Sequence, residues 1–128
     1  MSLFQSGNFT LHSGQQSDFK IDCDTLTDED WETLAAIIAK RREFREVIGV
    51  PQGGIPLARA LEKYAQPSRI GRYSLPILIV DDVLTTGASM EEVRLKRRDT
   101  QVDRFIGVVV FARGSCPNWI TPIFQMWG

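Results

Sequence analysis

The hydrophobic positions of this chain fall into two patterns, short continuous runs and longer stretches with helical spacing. Continuous apolar runs at residues 77–80 and 105–111 predict strands that are buried on both faces, as in a parallel sheet. A shorter apolar run at residues 47–50 predicts a third strand. Because helical stretches separate these runs, the pattern predicts an α/β domain of three layers around a central, mainly parallel sheet.

The stretches between the apolar runs carry signals of helix ends. Thr27 can cap a first helix because Asp30 follows at capping-box spacing, and basic residues at 40–42 suit the negative end of that helix. Pro56 fits the first turn of a second helix. A glycine-bearing loop then leads into a third, highly charged helix predicted at residues 90–98.

The two ends of the chain predict smaller elements. Residues 8–22 mix turn residues with alternating stretches, which is typical of short strands or an extended arm. Residues 115–128 carry enough large apolar side chains to form one more strand or to cover an edge. We therefore expect one domain over residues 1–128, with an amino-terminal segment at 1–22 and an edge or subunit-interface segment at 115–128.

Composition narrows the choice of partners and compartment. Fifteen Lys and Arg residues face sixteen Asp and Glu residues, and this net charge of −1 argues against binding nucleic acid through bulk charge. No apolar run is long enough to span a bilayer, and the N-terminus has no signal-peptide pattern. Cys23 and Cys116 are too few for a disulfide scaffold, so we expect a cytoplasmic protein without nucleic-acid or membrane partners.

Two adjacent acids, Asp81 and Asp82, follow the apolar run at residues 77–80. This acid pair is expected at the carboxyl end of a parallel strand, the edge where open α/β sheets bind ligands. Two carboxylates that repel each other and lose hydration there require compensating partners. Ribose hydroxyls and a magnesium ion are suitable partners because both interact with carboxylate oxygens.

A loop of small and hydroxylated residues, which we call the phosphate loop, follows the acid pair and consists of Thr85, Thr86, Gly87, Ala88 and Ser89. Its backbone N–H groups, its hydroxyls and the positive end of the next helix suit a phosphate, and Gly87 permits close approach. Acids for a sugar next to a loop for a phosphate describe a ribose 5-phosphate site. The alternative is a buried strand with an acidic helix cap and a chance glycine turn.

Residues 77–89 closely resemble the motif with which type I phosphoribosyltransferases bind 5-phosphoribosyl 1-diphosphate (PRPP). The resemblance implies the fold of that family, with the acid pair at the ribose hydroxyls, directly or through Mg²⁺, and the phosphate loop at the 5-phosphate. Residues 49–58 resemble the pyrophosphate loop of orotate phosphoribosyltransferases, which implies that Gln52, Gly53 and Gly54 bind pyrophosphate. Residues 9–14 and Ser17 resemble the segment that forms a hood over the base in the same enzymes.

The chain departs from this family at several positions where relatives carry basic residues. His12 and Gly53 stand where many relatives carry lysine, and the family's long closing loop is reduced to residues 66–74, whose cations are Arg69 and Arg72. Arg113 matches the arginine that pairs with the orotate carboxylate only after an offset of one residue. These side chains are candidates for accessory roles, and the alternative for His12, Arg69 and Arg72 is an ordinary surface position.

Three functional interpretations remain open from the sequence. The first is an enzyme that uses Mg²⁺ to transfer ribose 5-phosphate from PRPP to a nucleobase, of which orotate is the best supported. The second is a non-catalytic binder or sensor of PRPP or a nucleotide. It is favoured because the chain lacks lysines and most of the closing loop that handle the charge of the leaving diphosphate in the family. The third is an interaction protein with a vestigial site. The family resemblance also implies a homodimer.

Overall fold

The computed structural model describes residues 3–10, 16–67, 75–97 and 104–126. The helices and strands are, in chain order, β1 (Phe4–Thr10), β2 (Gln16–Ile21), a 3-10 helix (Cys23–Thr25), α1 (Asp28–Arg41), β3 (Glu46–Gly49), α2 (Ile55–Leu61), a second 3-10 helix (Glu62–Tyr64), β4 (Ile77–Leu84), α3 (Ala88–Arg97), β5 (Phe105–Arg113) and β6 (Ile120–Met126). No helix among the described residues is both long and apolar enough to cross a membrane.

A four-stranded sheet forms the centre of the fold, with the strand order β3-β4-β5-β6. All three strand pairs are parallel, so the carboxyl ends of the four strands lie along the same edge. Strands β1 and β2 form a separate antiparallel hairpin. The expected parallel sheet is confirmed, and the carboxyl-terminal tail supplies its fourth strand.

Two apolar clusters hold helices on opposite faces of the sheet, which gives three layers. On one face, α1 and α2 pack against β4 and β5 through buried side chains such as Trp31, Leu57 and Val80. On the other face, α3 contributes Met90 to a cluster with Ile79 and other strand residues. Because both faces are covered, the central strands carry the continuous apolar runs seen in the sequence.

The first helix starts at the residue that the sequence predicts. Thr27 accepts a hydrogen bond from the Asp30 backbone N–H at 3.2 Å, and the Asp30 carboxylate accepts one from the Thr27 N–H at 2.9 Å. This reciprocal pair satisfies two backbone donors that a helix end leaves without partners. The capping box therefore fixes where the chain turns from the hairpin into α1.

Some predicted ends of strands and helices near the candidate site residues are wrong. The sequence predicts that β4 ends before the acid pair, but the strand continues to Leu84 because β5 stays hydrogen-bonded beside it, with Leu84 opposite Ala112. Strand β5 correspondingly runs on to Arg113. The third helix begins at Ala88 rather than at Met90, so the phosphate loop and the first turn of α3 overlap.

Candidate active site

A cavity of about 910 Å³ lies at the carboxyl edge of the sheet and gathers most of the predicted site residues. The acid pair, all five residues of the phosphate loop, Gln52, Gly53 and Arg113 line it. Gly54 does not line the cavity but is buried against the backbone of Val50 and Val80. The remaining predicted residues, His12, Arg69 and Arg72, lie outside the part of the chain that the structure describes.

The acid pair is held by hydrogen bonds to the backbone of β4. The Asp82 N–H donates to Asp81 Oδ1 at 2.8 Å, and the Val83 N–H donates to Asp82 Oδ1 at 2.7 Å. Burial, reinforced by the neighbouring Asp82 carboxylate, raises the pKa of Asp81 to about 8. At neutral pH the free protein therefore holds Asp81 mainly in the neutral form, which a cation or a set of hydroxyl donors can convert to the carboxylate.

The loop between β3 and α2, residues 51–54, packs so closely at its glycines that an added side chain would collide with neighbouring atoms. A Cβ on Gly54 would lie 2.7 Å from Val50 N, and a Cβ on Gly49 would lie 2.6 Å from Gly54 O. The Pro51–Gln52 peptide bond is cis. This glycine loop, as we call residues 51–54, lies against the acid pair, because a Cβ on Gly53 would lie 2.6 Å from Asp82 Cγ.

The phosphate loop combines a left-handed turn with the start of a helix. Gly87 has φ +84°, a conformation that side chains disfavour. Thr86 Oγ1 accepts a hydrogen bond from the Ala88 N–H at 3.3 Å, and the Glu91 N–H donates to Gly87 O at 3.0 Å as the first helical turn closes. The loop thus brings backbone donors and exposed hydroxyls to the cavity at the positive end of α3.

One wall of the cavity is formed by residues that the sequence did not indicate as part of the site. It comes from the segment between β2 and α1 and from the first turn of α1, and it includes Asp22, Cys23, Asp24, Asp28 and Trp31. Burial raises the pKa of the Cys23 thiol to about 12, and the nearby carboxylates, Asp82 first among them, act in the same direction. The acidic residues at the start of α1 were the sequence feature that could have indicated this wall. The capping of the helix, however, explains acidic residues at these positions equally well.

Arg113 enters the cavity from the end of β5. Arg113 therefore lies at the site even though it is offset by one residue from the corresponding arginine of the family. Among the described residues that line the cavity, the acidic and basic side chains are this single arginine and five aspartates. A strongly anionic ligand in this part of the site therefore requires further positive charge.

The acid pair can contribute to a metal site only together with a ligand. The described residues contain no group of three or more His, Cys, Asp or Glu side chains arranged to hold a metal ion. Magnesium, however, is commonly bound through one or two carboxylates, with waters and substrate phosphates completing its octahedron. The two adjacent carboxylates of β4 fit a magnesium ion that arrives with a phosphorylated substrate.

Comparison with known proteins relates this architecture to one enzyme family. No protein-family model matches the chain. The orotate phosphoribosyltransferase of Methanocorpusculum labreanum is 32% identical in an alignment 126 positions long, and the matched region covers 80% of this chain and 73% of that protein.

Solved structures show the same fold. The orotate phosphoribosyltransferase of Aeropyrum pernix has a TM-score of 0.72 at 22% identity, over 97% of this chain and 88% of the other. The Mycobacterium tuberculosis orotate phosphoribosyltransferase, solved with inorganic phosphate, has a TM-score of 0.67 at 19% identity, over 94% and 87% of the two chains. With this fold and the identity to the Methanocorpusculum enzyme, the chain belongs to the orotate phosphoribosyltransferase family.

Proposed function

We propose that this protein transfers the 5-phosphoribosyl group of PRPP to a ring nitrogen of a nucleobase and releases pyrophosphate, with Mg²⁺ as the cofactor. The observation that carries the proposal is the convergence of the acid pair, the glycine loop and the phosphate loop in one cavity. These three features suit the ribose, the diphosphate and the 5-phosphate of PRPP. The family membership supports the same reaction.

The phosphate loop, the acid pair and the glycine loop each bind a different part of PRPP in this proposal. The phosphate loop donates backbone N–H groups and hydroxyls to the 5-phosphate, at the end of α3 where negative charge is favoured. The acid pair accepts hydrogen bonds from the ribose hydroxyls. The glycine loop lets the diphosphate approach the backbone, since no side chain projects from Gly53 toward the acid pair. Together these contacts fix the ribose C1 atom for attack.

The chemical step is a substitution at C1 of the ribose. The attacking ring nitrogen forms a bond to C1, the C1–O bond to the diphosphate breaks, and the diphosphate leaves with the bonding electron pair. A nitrogen that carries a proton gives it up to solvent. The carboxylates of the acid pair, when ionised, stabilise the positive charge that develops on the ring in an oxocarbenium-like transition state.

The charge balance of the described site explains a requirement for magnesium. Five aspartates and one arginine line the described part of the cavity, whereas PRPP brings several negative charges. Mg²⁺, when bound, neutralises charge on the diphosphate and so stabilises it as a leaving group. Asp81 and Asp82 are the residues that would hold it, through one carboxylate or through bound water.

We propose orotate as the first acceptor to test. Its carboxylate is an anion that the Arg113 guanidinium can bind with two parallel hydrogen bonds. Arg113 lies at the edge of the same cavity as the acid pair. Uracil, which lacks the carboxylate, should then be a poorer acceptor than orotate.

The scarcity of cations in the described part of the site favours one other candidate, a non-catalytic binder of PRPP or a nucleotide. Such a protein would keep the ribose and phosphate contacts without stabilising the leaving diphosphate. It would bind Mg²⁺-PRPP and release no pyrophosphate with any base. The two functions therefore differ in turnover and not in binding.

The proposed reaction is tested by following conversion of the base to its 5′-mononucleotide. Orotate, uracil, adenine, guanine and hypoxanthine are each incubated with PRPP, with Mg²⁺ or with a chelator. We expect Mg²⁺-dependent product with one base, and a loss of about a hundredfold or more in Asp82→Asn. Glu92→Gln, which removes an exposed carboxylate of α3 paired with Lys96, is the control and should retain activity. Mg²⁺-PRPP binding without product from any base would favour the binder.

We also propose that the protein is a cytoplasmic homodimer. The cytoplasmic assignment agrees with the substrates and with free thiols at Cys23 and Cys116. Edge strand β6 carries Phe124, a large apolar side chain that is 49% exposed and suits a subunit interface. Sedimentation velocity tests the dimer: the wild-type chain should sediment as a dimer and Phe124→Glu as a monomer, whereas a monomeric wild type would refute it.

A further inference from the structure

Gln125 lies near the end of edge strand β6, beside the last residues of β5. Its side-chain amide nitrogen lies 2.6 Å from Gly114 O, 3.3 Å from Ala112 O and 3.2 Å from Met126 O. The first two carbonyls belong to the residues on either side of Arg113. A single side-chain amide therefore contacts the backbone both before and after the arginine that enters the cavity.

The backbone beside Arg113 changes direction at this point. Strand β5 ends at Arg113, which pairs with Met126, and the next residue, Gly114, has φ +99°. The Gly114 N–H still donates to Met126 O at 3.0 Å. Beyond this bond β5 and β6 are no longer paired. The direction of the Arg113 side chain therefore depends on how firmly the backbone of residues 112–114 is held.

We propose that Gln125 is a positioning residue for Arg113: its amide fixes the two carbonyls that flank Arg113 and thereby directs the guanidinium into the cavity. Gln125 does not itself line the cavity, so its influence passes through the arginine. The consequence for catalysis rests on the proposed function, because it requires Arg113 to bind an anionic group of the acceptor. The consequence for the free protein does not depend on any substrate.

The test uses Gln125→Met, which keeps the length of the side chain and removes its donors. Its matched control is Thr121→Val on the same strand, where the threonine hydroxyl accepts a hydrogen bond from Arg42 at 3.2 Å, far in sequence from Arg113. Both substitutions are made in the wild-type chain and in an Arg113→Ala background. The measurements are kcat, the KM for orotate and for PRPP, and the midpoint of thermal unfolding.

We expect Gln125→Met to raise the KM for orotate about tenfold, with kcat and the KM for PRPP within about twofold of wild type. In the Arg113→Ala background the same substitution should leave the KM for orotate unchanged, because the arginine through which it acts is gone. Thr121→Val should leave all three constants unchanged. An unchanged KM for orotate in Gln125→Met, or an equal rise in both backgrounds, would overturn the positioning role.

A readout on the free protein separates this inference from the proposed function. The Arg113 side-chain Nε–H resonance and the exchange rate of the Gly114 amide are measured by NMR in wild type and Gln125→Met. We expect the resonance to shift and the Gly114 amide to exchange about tenfold faster in the variant. If wild type transfers no ribose phosphate, the proposed function fails while these two signals still decide the positioning role; signals identical in both proteins would refute it.

Discussion

The carboxylate of Asp82 fills the space that a side chain at Gly53 would need, since a Cβ on Gly53 would come within 2.6 Å of Asp82 Cγ. Gly53 lies in the glycine loop and Asp82 on strand β4, 29 positions apart in the sequence. Their contact joins the loop proposed for the diphosphate to the acid proposed for the ribose. The absence of a side chain at position 53 is therefore a condition for the position of Asp82.

Alanine substitutions at the two neighbouring glycines should affect different properties, activity at Gly53 and stability at Gly54. In Gly53→Ala the new methyl group meets the end of a side chain, which can rotate away, so the free energy of unfolding should change by less than about 1 kcal/mol. The displaced Asp82 should nevertheless lower kcat/KM by about a hundredfold. In Gly54→Ala the methyl group meets the backbone of Val50 at 2.7 Å, so unfolding should become easier by more than about 2 kcal/mol.

Urea unfolding and steady-state kinetics of both glycine variants check this contrast. The Gly53→Ala chain should unfold at nearly the urea concentration of wild type, and Gly54→Ala at a much lower one. A Gly53→Ala enzyme with full activity would show that the contact with Asp82 has no role in catalysis.

Asp81 should make the protein less stable as the pH rises. Burial and the Asp82 carboxylate raise the pKa of Asp81 to about 8, against an ordinary value of 3.8. Between these values the folded chain keeps a proton that the unfolded chain releases, so the free energy of unfolding falls as the pH rises through this window. Asp81→Asn removes this titration and, at pH 8, should be more stable than wild type by about 1 kcal/mol or more, while losing PRPP binding.

Urea unfolding of wild type and Asp81→Asn at several pH values between 5 and about 8.5 tests this prediction. The Cys23 thiol, whose pKa is raised to about 12, stays neutral throughout that range in the folded chain. The difference in stability between the two proteins should grow with pH. Parallel pH profiles would contradict the assignment of a buried, proton-holding carboxyl to position 81.

Thr86 should affect the affinity for PRPP more than stability. Its hydroxyl accepts the Ala88 N–H and so shapes the phosphate loop, and it is itself exposed to the cavity. Thr86→Val keeps the shape of the side chain but removes this oxygen, and should raise the KM for PRPP about tenfold. The control is Thr33→Val in α1, where the lost hydroxyl donates to the Glu29 carbonyl oxygen at 2.9 Å. Equal KM values in the two variants would refute a role for Thr86.

The central part of this fold could be predicted because local signals agree with the tertiary structure. The continuous apolar runs, the capping box at Thr27 and the glycine turn at Gly87 each produce the element that they indicate. The acid pair was found because its residues lie next to the phosphate loop in the chain. The extension of β4 to Leu84 was missed because pairing with β5, and not local hydrophobicity, decides where the strand ends.

The rest of the site depends on contacts between distant parts of the chain. Asp22 and Cys23 are brought to the cavity by the tertiary fold, and no spacing in the sequence connects them with the acid pair. The contact of Gln125 with the backbone beside Arg113 likewise requires the pairing of β5 with β6. Such relations follow from strand order and register, which the apolar pattern does not specify.

The stoichiometry of pyrophosphate release tests the central claim most directly. PRPP and Mg²⁺ are mixed with the protein and orotate, and pyrophosphate and 5′-mononucleotide are quantified in the same samples. We expect one pyrophosphate for each mononucleotide formed, no release without a base, and a loss of about a hundredfold or more in Asp82→Asn. Folded protein that forms no mononucleotide with orotate or any other base, or an Asp82→Asn variant with full activity, would contradict this claim.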